Sequence, residues 1–339
     1  MQSIEEFFPL LLAPKKVVIT THQKPDGDAM GSSLGLYHFL TSLGHSVTVI
    51  SPTNWASFLN WMPGVDKVLD FESDGQKATA KQLIADAEVI FCLDFNTLSR
   101  IKNVESFIAK ANCTKVLIDH HQQPQVEVFN YGASNTAKSS TCEMVYDFIM
   151  ASGNAHKINL DIAACLYTGT MTDTGSFRFQ STTASVHRMA AHFLDLGLKH
   201  SIIHDNMFDN FLETRLRFIG NALLNRMEVF YEYNTAIMCI PKHDLKKYDI
   251  KTGDTEGLVN YMQSITGIRL AAIVIDREEE RKWSFRSKGG FDVNEFARKH
   301  FNGGGHIMAA GGGSKDSLEE TYNHFLTVIK EYETDLNKN

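Results

Sequence analysis

Lys16-Val-Val-Ile-Thr-Thr-His22-Gln-Lys-Pro-Asp26-Gly-Asp28 is the stretch that decides the fold. Its first half, rich in β-branched residues, reads as a strand, and residues 29–43 read as a helix with Gly44 placed for its C-cap. Between them Pro25 and Gly27 force a tight turn, so His22, Asp26 and Asp28 converge. Imidazole and carboxylate groups in one turn suit a divalent cation; a polar loop with Asp28 capping the helix is the plainer alternative.

The arrangement recurs outward along the chain. Residues 47–50 read as a strand, Asp94 follows the apolar run Val89–Leu93, and Asp119, His120 and His121 follow the run 115–118. Asp173 lies in Tyr167-Thr-Gly-Thr-Met-Thr-Asp173-Thr-Gly175, after a helical pattern at 158–172. Further helical patterns at 78–87, 104–111 and 139–151 separate the runs. Short apolar strands alternating with helices imply an α/β fold with a parallel sheet covered on both faces. Ligands of such sheets gather at the carboxyl ends of strands, where most of these clusters fall. Asp94 and Asp173 taken singly read as turn residues. The whole set suits manganese, magnesium or zinc, and two such ions about 3.5–4 Å apart form a phosphoester-cleaving centre.

The pattern changes after residue 185 or so. Helical segments fill 183–224. Strands at 228–232, Thr235–Ile240, 269–275 and 282–287 follow, with helices near 255–264, 293–299 and 317–334. This is a smaller α+β module. A short amphipathic helix is expected at 3–12. The domains are therefore expected at 1–190 and 216–339, with a helical linker at 191–215. Between residues 281 and 300 six basic side chains stand against two acidic ones. Gly303, Gly304 and Gly305 precede His306, and such a run lets backbone N–H groups approach an anion. Core packing is not expected to require it. Arg286 is the candidate for a substrate phosphate, or else a plain strand-surface arginine.

Composition sets the outer bounds. The 339 residues are 43% hydrophobic and 22% charged with net charge −7, which disfavours a broad grip on long nucleic acid but not a local anion site. Five scattered cysteines without a C-x-x-C read as buried thiols of a cytoplasmic protein. Neither a leader pattern nor an apolar run of about 18 residues is seen, so no membrane partner is expected.

In their order, H-x-x-x-D-x-D, Asp, D-H-H and Asp resemble the DHH phosphoesterase superfamily. Ser284-Phe-Arg-Ser-Lys288, Phe291-Asp-Val-Asn294 and Gly303-Gly-Gly-His306-Ile-Met-Ala-Ala-Gly311 resemble its glycine-rich substrate-binding domain. Asn302 departs from the glycine many members carry. The resemblance is greatest to the stand-alone bacterial oligoribonuclease (nanoRNase) and 3′-phosphoadenosine-5′-phosphate (pAp) phosphatase group. It implies one ion on His22, Asp26 and Asp94 and another on Asp28, Asp94, His120 and Asp173, with manganese favoured and magnesium or cobalt as alternatives. It further implies that His121 faces the scissile phosphate or leaving oxygen and that Asp119 fixes a histidine ring. Substrate contacts are expected from Arg286, Ser287, the glycines and His306. Arg100 and Ser140 are candidates too, against a solvated arginine and an N-cap. Phe177, Phe179 and Phe285 offer stacking faces, though aromatics in strands are mostly core. The expected substrates are short RNA or pAp, not long duplexes, and relatives suggest a homodimer. A linear or cyclic dinucleotide phosphodiesterase, an inorganic pyrophosphatase and a non-catalytic nucleotide sensor are the rivals. The glycine-rich domain speaks against the pyrophosphatase, and the complete set of acids and imidazoles against the sensor.

Overall fold

Alternate residues of the same strands feed two different cores, and this sets the layers of the first unit. The computed structural model describes residues 1–277 and 279–338 and divides into Met1–Asn210 and Phe211–Asn339. In the first unit β1 (Gln2–Ser3), β2 (Lys16–Thr21), β3 (Ser46–Ser51), β4 (Leu69–Asp70), β5 (Val89–Leu93), β6 (Thr114–Asp119) and β7 (Tyr131–Ser134) form a seven-stranded sheet, ordered β1-β7-β6-β5-β2-β3-β4. Every pairing is parallel. Its helices are α1 (Gly27–Ser42), α2 (Asp74–Asp86), α3 (Glu105–Lys110), α4 (Thr141–Ala151), α5 (Leu160–Asp173), α6 (Ala184–Asp195) and α7 (His200–Phe208). Val17, Ile19, Phe91, Leu93, Val116 and Ile118 pack with α1, α4 and α5. Val18, Ile90, Cys92 and Leu117 point the other way, to α2 and α3. That is the period-2 alternation of a sheet buried on both faces.

The chain runs outward through β2, β3 and β4, then returns to lay β5 on the other side of β2. The carboxyl ends of β2 and β5 thus flank the point where strand order reverses, the usual crevice of an open parallel sheet.

Glycines decide how closely α1 meets α5. A Cβ on Gly31 would lie 2.5 Å from the Cys165 carbonyl oxygen, and one on Gly169 would lie 2.3 Å from the Cys142 sulfur and 2.8 Å from the Asp28 Cα. The helices touch backbone to backbone, which brings the start of α1 beside the end of α5.

The second unit is an α+β module. β8 (Met227–Phe230), β9 (Thr235–Ile240), β10 (Leu270–Asp276), β11 (Arg281–Ser287), β12 (Gly304–His306) and β13 (Ala309–Ser314) form a sheet ordered β12-β13-β11-β10-β9-β8. Only the β9–β10 pair is parallel among the described residues. Helices α8 (Glu213–Asn225), α9 (Lys242–Lys247), α10 (Leu258–Gln263), α11 (Val293–His300), α12 (Leu318–Glu331) and α13 (Glu333–Leu336) accompany it. Trp283, Phe285, Phe296 and Phe325 lie in one core, and Met238, Ile273, Phe218 and Met262 in another.

Several local expectations change. The segment 3–12 is a 3-10 helix, Ile4–Leu12, with Pro9 inside it. The helical segments expected over 183–224 are α6, α7 and α8, but the linker expected at 191–215 is not a separate piece: α6 and α7 lie in the first unit and α8 opens the second. The strand expected at 228–232 ends at Phe230, where Tyr231–Tyr233 turns and Asn234 takes φ +43°. The glycine loop is a hairpin of β12 and β13. Packing does require its glycines: a Cβ on Gly303 would lie 1.9 Å from the Gly311 carbonyl oxygen, and one on Gly305 2.5 Å from that of Ala309. No helix among the described residues is long and apolar enough to cross a membrane.

The α1–α5 contact is testable. Gly31→Ala places a methyl group against backbone, and overpacking of this kind costs about 1–3 kcal/mol. Urea unfolding should show that loss; an unchanged midpoint would mean the helices do not approach as described.

Candidate metal centre

Each charged side chain of the first unit's cluster is aimed by a backbone feature. Asp26 is the N-cap of α1, and its Oδ1 accepts from the N–H of Asp28 and Ala29 at 3.1 Å each. Its Oδ2 is 3.9 Å from His22 Nε2. Asp28, 1% exposed, accepts at both oxygens from the opening turn of α4: Thr141 N–H at 2.7 Å and Cys142 N–H at 2.9 Å. Anions are favoured at a helix N-terminus, which steadies this buried carboxylate. Asp173 is the last residue of α5, with Oδ2 3.3 Å from His120 Nε2.

Asp94 lies between the others. Its φ of +63° turns the chain sharply at the end of β5, a conformation that aspartate tolerates better than most residues. Its N–H donates to Ile118 O at 3.1 Å, and its Oδ1 accepts from Thr141 Oγ1 at 3.0 Å. Oδ1 is 3.5 Å from His120 Nε2, and Oδ2 is 3.5 Å from His22 Nε2. One carboxylate therefore presents a separate oxygen to each of two imidazoles.

The imidazoles are held alike. His22 Nδ1 is 2.8 Å from Gln23 O and His120 Nδ1 is 3.3 Å from Lys138 O, so both turn Nε2 toward the carboxylates. His121 Nδ1 is 2.7 Å from Oδ1 of the fully buried Asp119.

The donor set fits divalent cations. His22, Asp26 and Asp94 offer ligand atoms within 4.8 Å of one another, as do Asp28, His120 and Asp173. The carboxylates' ion-pair partners are imidazoles, which carry charge only when protonated. Burial and the negative charges of Asp94 and Asp173 push the Asp28 carboxyl well above its usual range. Asp173 rises to about 7, burial being the main cause. Burial opposes charge on His120, but its hydrogen bond to Asp94 and the nearby Asp173 and Asp28 raise it well above 6.5. Asp94 goes the other way: burial works to raise it, yet hydrogen bonds from His120 and His22 hold it well below 3.8.

Other expected residues fall in different settings. Arg100 lies close enough for its charge to disfavour protonation of His22, and its carbonyl accepts from Gln23 N–H at 3.0 Å. Ser140 is fully buried, caps α4 by accepting from Glu143 N–H at 3.0 Å, and bonds to Thr170 Oγ1. In the second unit Ser287 is 3% exposed, with its hydroxyl donating to Phe291 O at 2.6 Å. Arg286 donates to Phe285 O at 2.9 Å, and the N–H of Gly305 donates to Asn294 Oδ1 at 2.9 Å. His306 ends β12. Phe285 is core, stacked on Trp283 with centroids 5.3 Å apart, and has no face for a base. Phe177 packs on Tyr167 at 5.5 Å, and Phe179 is 38% exposed; both lie in the turn after α5, not in a strand.

Sequence reasoning missed Thr141 and Glu143. Glu143, 2% exposed, accepts from Ser139 N–H and Oγ, Lys138 Nζ and Ser185 Oγ, and so anchors the loop whose Lys138 carbonyl meets His120. The S-x-x-E spacing of Ser140 and Glu143, a helix-start signature, was the available signal.

The chain belongs to the DHH family. The DHH family N-terminal domain matches residues 16–170, and the DHHA1 domain matches 232–335. Among its relatives, the bifunctional oligoribonuclease and PAP phosphatase NrnA of Thermus thermophilus is 30% identical over 320 residues, 93% of this chain and 89% of that protein. The protein of the same name from Bacillus subtilis is 28% identical, with 94% and 96% covered. The crystal structure of an exopolyphosphatase-related protein from Bacteroides fragilis superposes with TM-score 0.93 at 37% identity, covering 99% of this chain and 97% of that one.

Cation binding favours the deprotonated forms of His120, Asp28 and Asp173, each of which titrates above its ordinary value. Manganese affinity, read by calorimetry, should therefore strengthen as pH rises from 5.5 to 8, with proton release at the acid end. An affinity flat across that range would rule out these side chains as the ligands.

Proposed function

We propose that the chain is a two-metal phosphoesterase that cuts short oligoribonucleotides to mononucleotides and removes the 3′-phosphate of pAp, leaving AMP. The observation that carries this reading is Asp94, whose two oxygens face different imidazoles as a bridging carboxylate's would. In this reading His22, Asp26 and Asp94 hold one ion, and Asp28, Asp94, His120 and Asp173 the other. A pair of divalent ions, manganese in our assignment, supplies Lewis acidity and a water that ionises near neutral pH.

The chain's own groups do the positioning. Thr141 and the N-terminus of α4 fix Asp94 and Asp28, so little reorganisation is needed on binding. His121, its Nδ1 tied to Asp119, presents Nε2 to the leaving oxygen. Water adds across the P–O bond: its oxygen joins phosphorus, and a proton leaves on the departing hydroxyl. Arg100 supplies positive charge beside His22. In the second unit Arg286, the β12 glycines and His306 contact the anionic remainder of the nucleotide, while Ser287 supports the turn at Phe291. The free cysteines suit a cytoplasmic enzyme. The names of the two NrnA relatives favour short RNA and pAp over a dinucleotide-specific activity.

Turnover of pAp, a dinucleotide, a 5-mer and a 24-mer with manganese, side by side, tests the substrate class; preference for the 24-mer would overturn it. Asp94→Asn keeps a residue that tolerates φ +63° but removes the bridging charge. It should cost at least about 1,000-fold in kcat with the fold retained. Arg286→Ala and His306→Ala should raise KM with metal affinity unchanged, and wild-type KM in both would remove the second unit from substrate binding.

A further inference from the structure

The peptide group joining Lys138 and Ser139, between β7 and α4, is gripped at both ends. Its carbonyl oxygen, on Lys138, is 3.3 Å from His120 Nδ1, and its N–H, on Ser139, donates to Glu143 Oε2 at 2.9 Å. The C=O and N–H of one planar trans peptide point in opposite directions, so whatever fixes one end aims the other. Glu143 fixes more than that N–H. Its Oε2 also accepts from Ser139 Oγ at 2.8 Å, and its Oε1 accepts from Lys138 Nζ at 2.9 Å and Ser185 Oγ at 2.6 Å. Burial works to raise its carboxyl, but the bonds from Ser185, Ser139 and Lys138 hold it below its ordinary value, so this buried acid is ionised.

The bond at Nδ1 decides what His120 offers at Nε2. With its proton on Nδ1 for the carbonyl, the neutral ring has a lone pair at Nε2, the atom that faces Asp28, Asp94 and Asp173. Histidine ligands of metals are commonly oriented by a carboxylate at the other ring nitrogen. Here one peptide group stands between the carboxylate and the ring. Hydrogen bonds in such a chain polarise one another, so the charge on Glu143 makes the Lys138 carbonyl a better acceptor for His120.

The opening turn of α4 also holds the neighbouring ligands. Thr141 and Cys142 give their N–H groups to Asp28, and Thr141 Oγ1 bonds the Asp94 oxygen that faces His120. His22 and Asp26 are held instead by Gln23 O and by the first N–H groups of α1. We propose that Glu143 is a positioning residue for one ion alone, a role that rests on the two-metal reading above. Through the 138–139 peptide it keeps His120 on the ion shared with Asp28 and Asp173. The ion of His22 and Asp26 does not depend on it.

Calorimetric titration of the full chain with manganese, in the absence of substrate, tests this. Asp26→Asn marks which binding step belongs to the His22 ion. Glu143→Ala should weaken the other step about 10–100-fold, the usual loss when a partner orienting a metal ligand is removed, and leave the marked step within about twofold of wild type. Glu143→Gln keeps the shape of the side chain. Whichever way its amide lies, the NH₂ meets a donor, either the Lys138 ammonium or the Ser139 N–H. It should therefore weaken the same step by about threefold or more. Should Glu143→Ala fail to fold, Glu143→Gln decides alone. Two unchanged steps, or two equally weakened ones, in Glu143→Gln would overturn the proposal, since a merely structural role gives one or the other. A wild type that binds fewer than two ions overturns the two-metal reading instead, so the two failures are told apart.

Discussion

Four carboxylates that repel one another are held together in one site, two of them, Asp28 and Asp94, almost wholly buried, and the architecture of the first unit follows from the need to hold them. Asp26 and Asp28 come from the start of α1, Asp94 from the end of β5 and Asp173 from the end of α5. Left alone they would spread or bind protons, as the raised Asp28 and Asp173 show. Three devices resist that. The N-terminus of α4 gives Asp28 two N–H donors, the left-handed turn at Asp94 fixes its direction, and the glycines between α1 and α5 let the two helices approach closely. A preorganised negative site of this kind is costly to the apoprotein and rewards cations.

How much of this was legible depended on how local each signal was. The strands ending in His22, Asp94 and Asp119 could be read because apolar runs and their polar stops are neighbours in the chain. Thr141 was missed because its bond to Asp94 spans 47 positions, and no spacing announces it. The short strands β1, β4 and β7 were missed for a related reason: they are strands only because a longer neighbour offers them a ladder. The winding of Ile4–Leu12 was likewise hidden, since an apolar stripe with period near three serves either helix type.

The second unit corrects an inference about glycine. A run of glycines before a histidine suggested an open loop for anions. Its Gly303 and Gly305 instead let the two hairpin strands approach within distances that a side chain would forbid, as Gly312 across the hairpin does for the Phe301 carbonyl. Anion contact and tight packing are not exclusive, because the same missing Cβ serves both. Buried Asn294 joins them, receiving the Gly305 N–H on one side and Arg298 Nε on the other.

The two-core construction of the parallel sheet also has an evolutionary side. Helices α1, α4 and α5, on one face, supply or brace the chemical groups, whereas α2 and α3 on the opposite face contribute none of the acids or imidazoles. Each strand residue answers to one face only. The back layer is therefore free to drift, to accept insertions or to acquire fused segments, while the front layer stays under strict geometric demand. Descendants of such a scaffold can diversify in regulation and partnership without reinventing their chemistry.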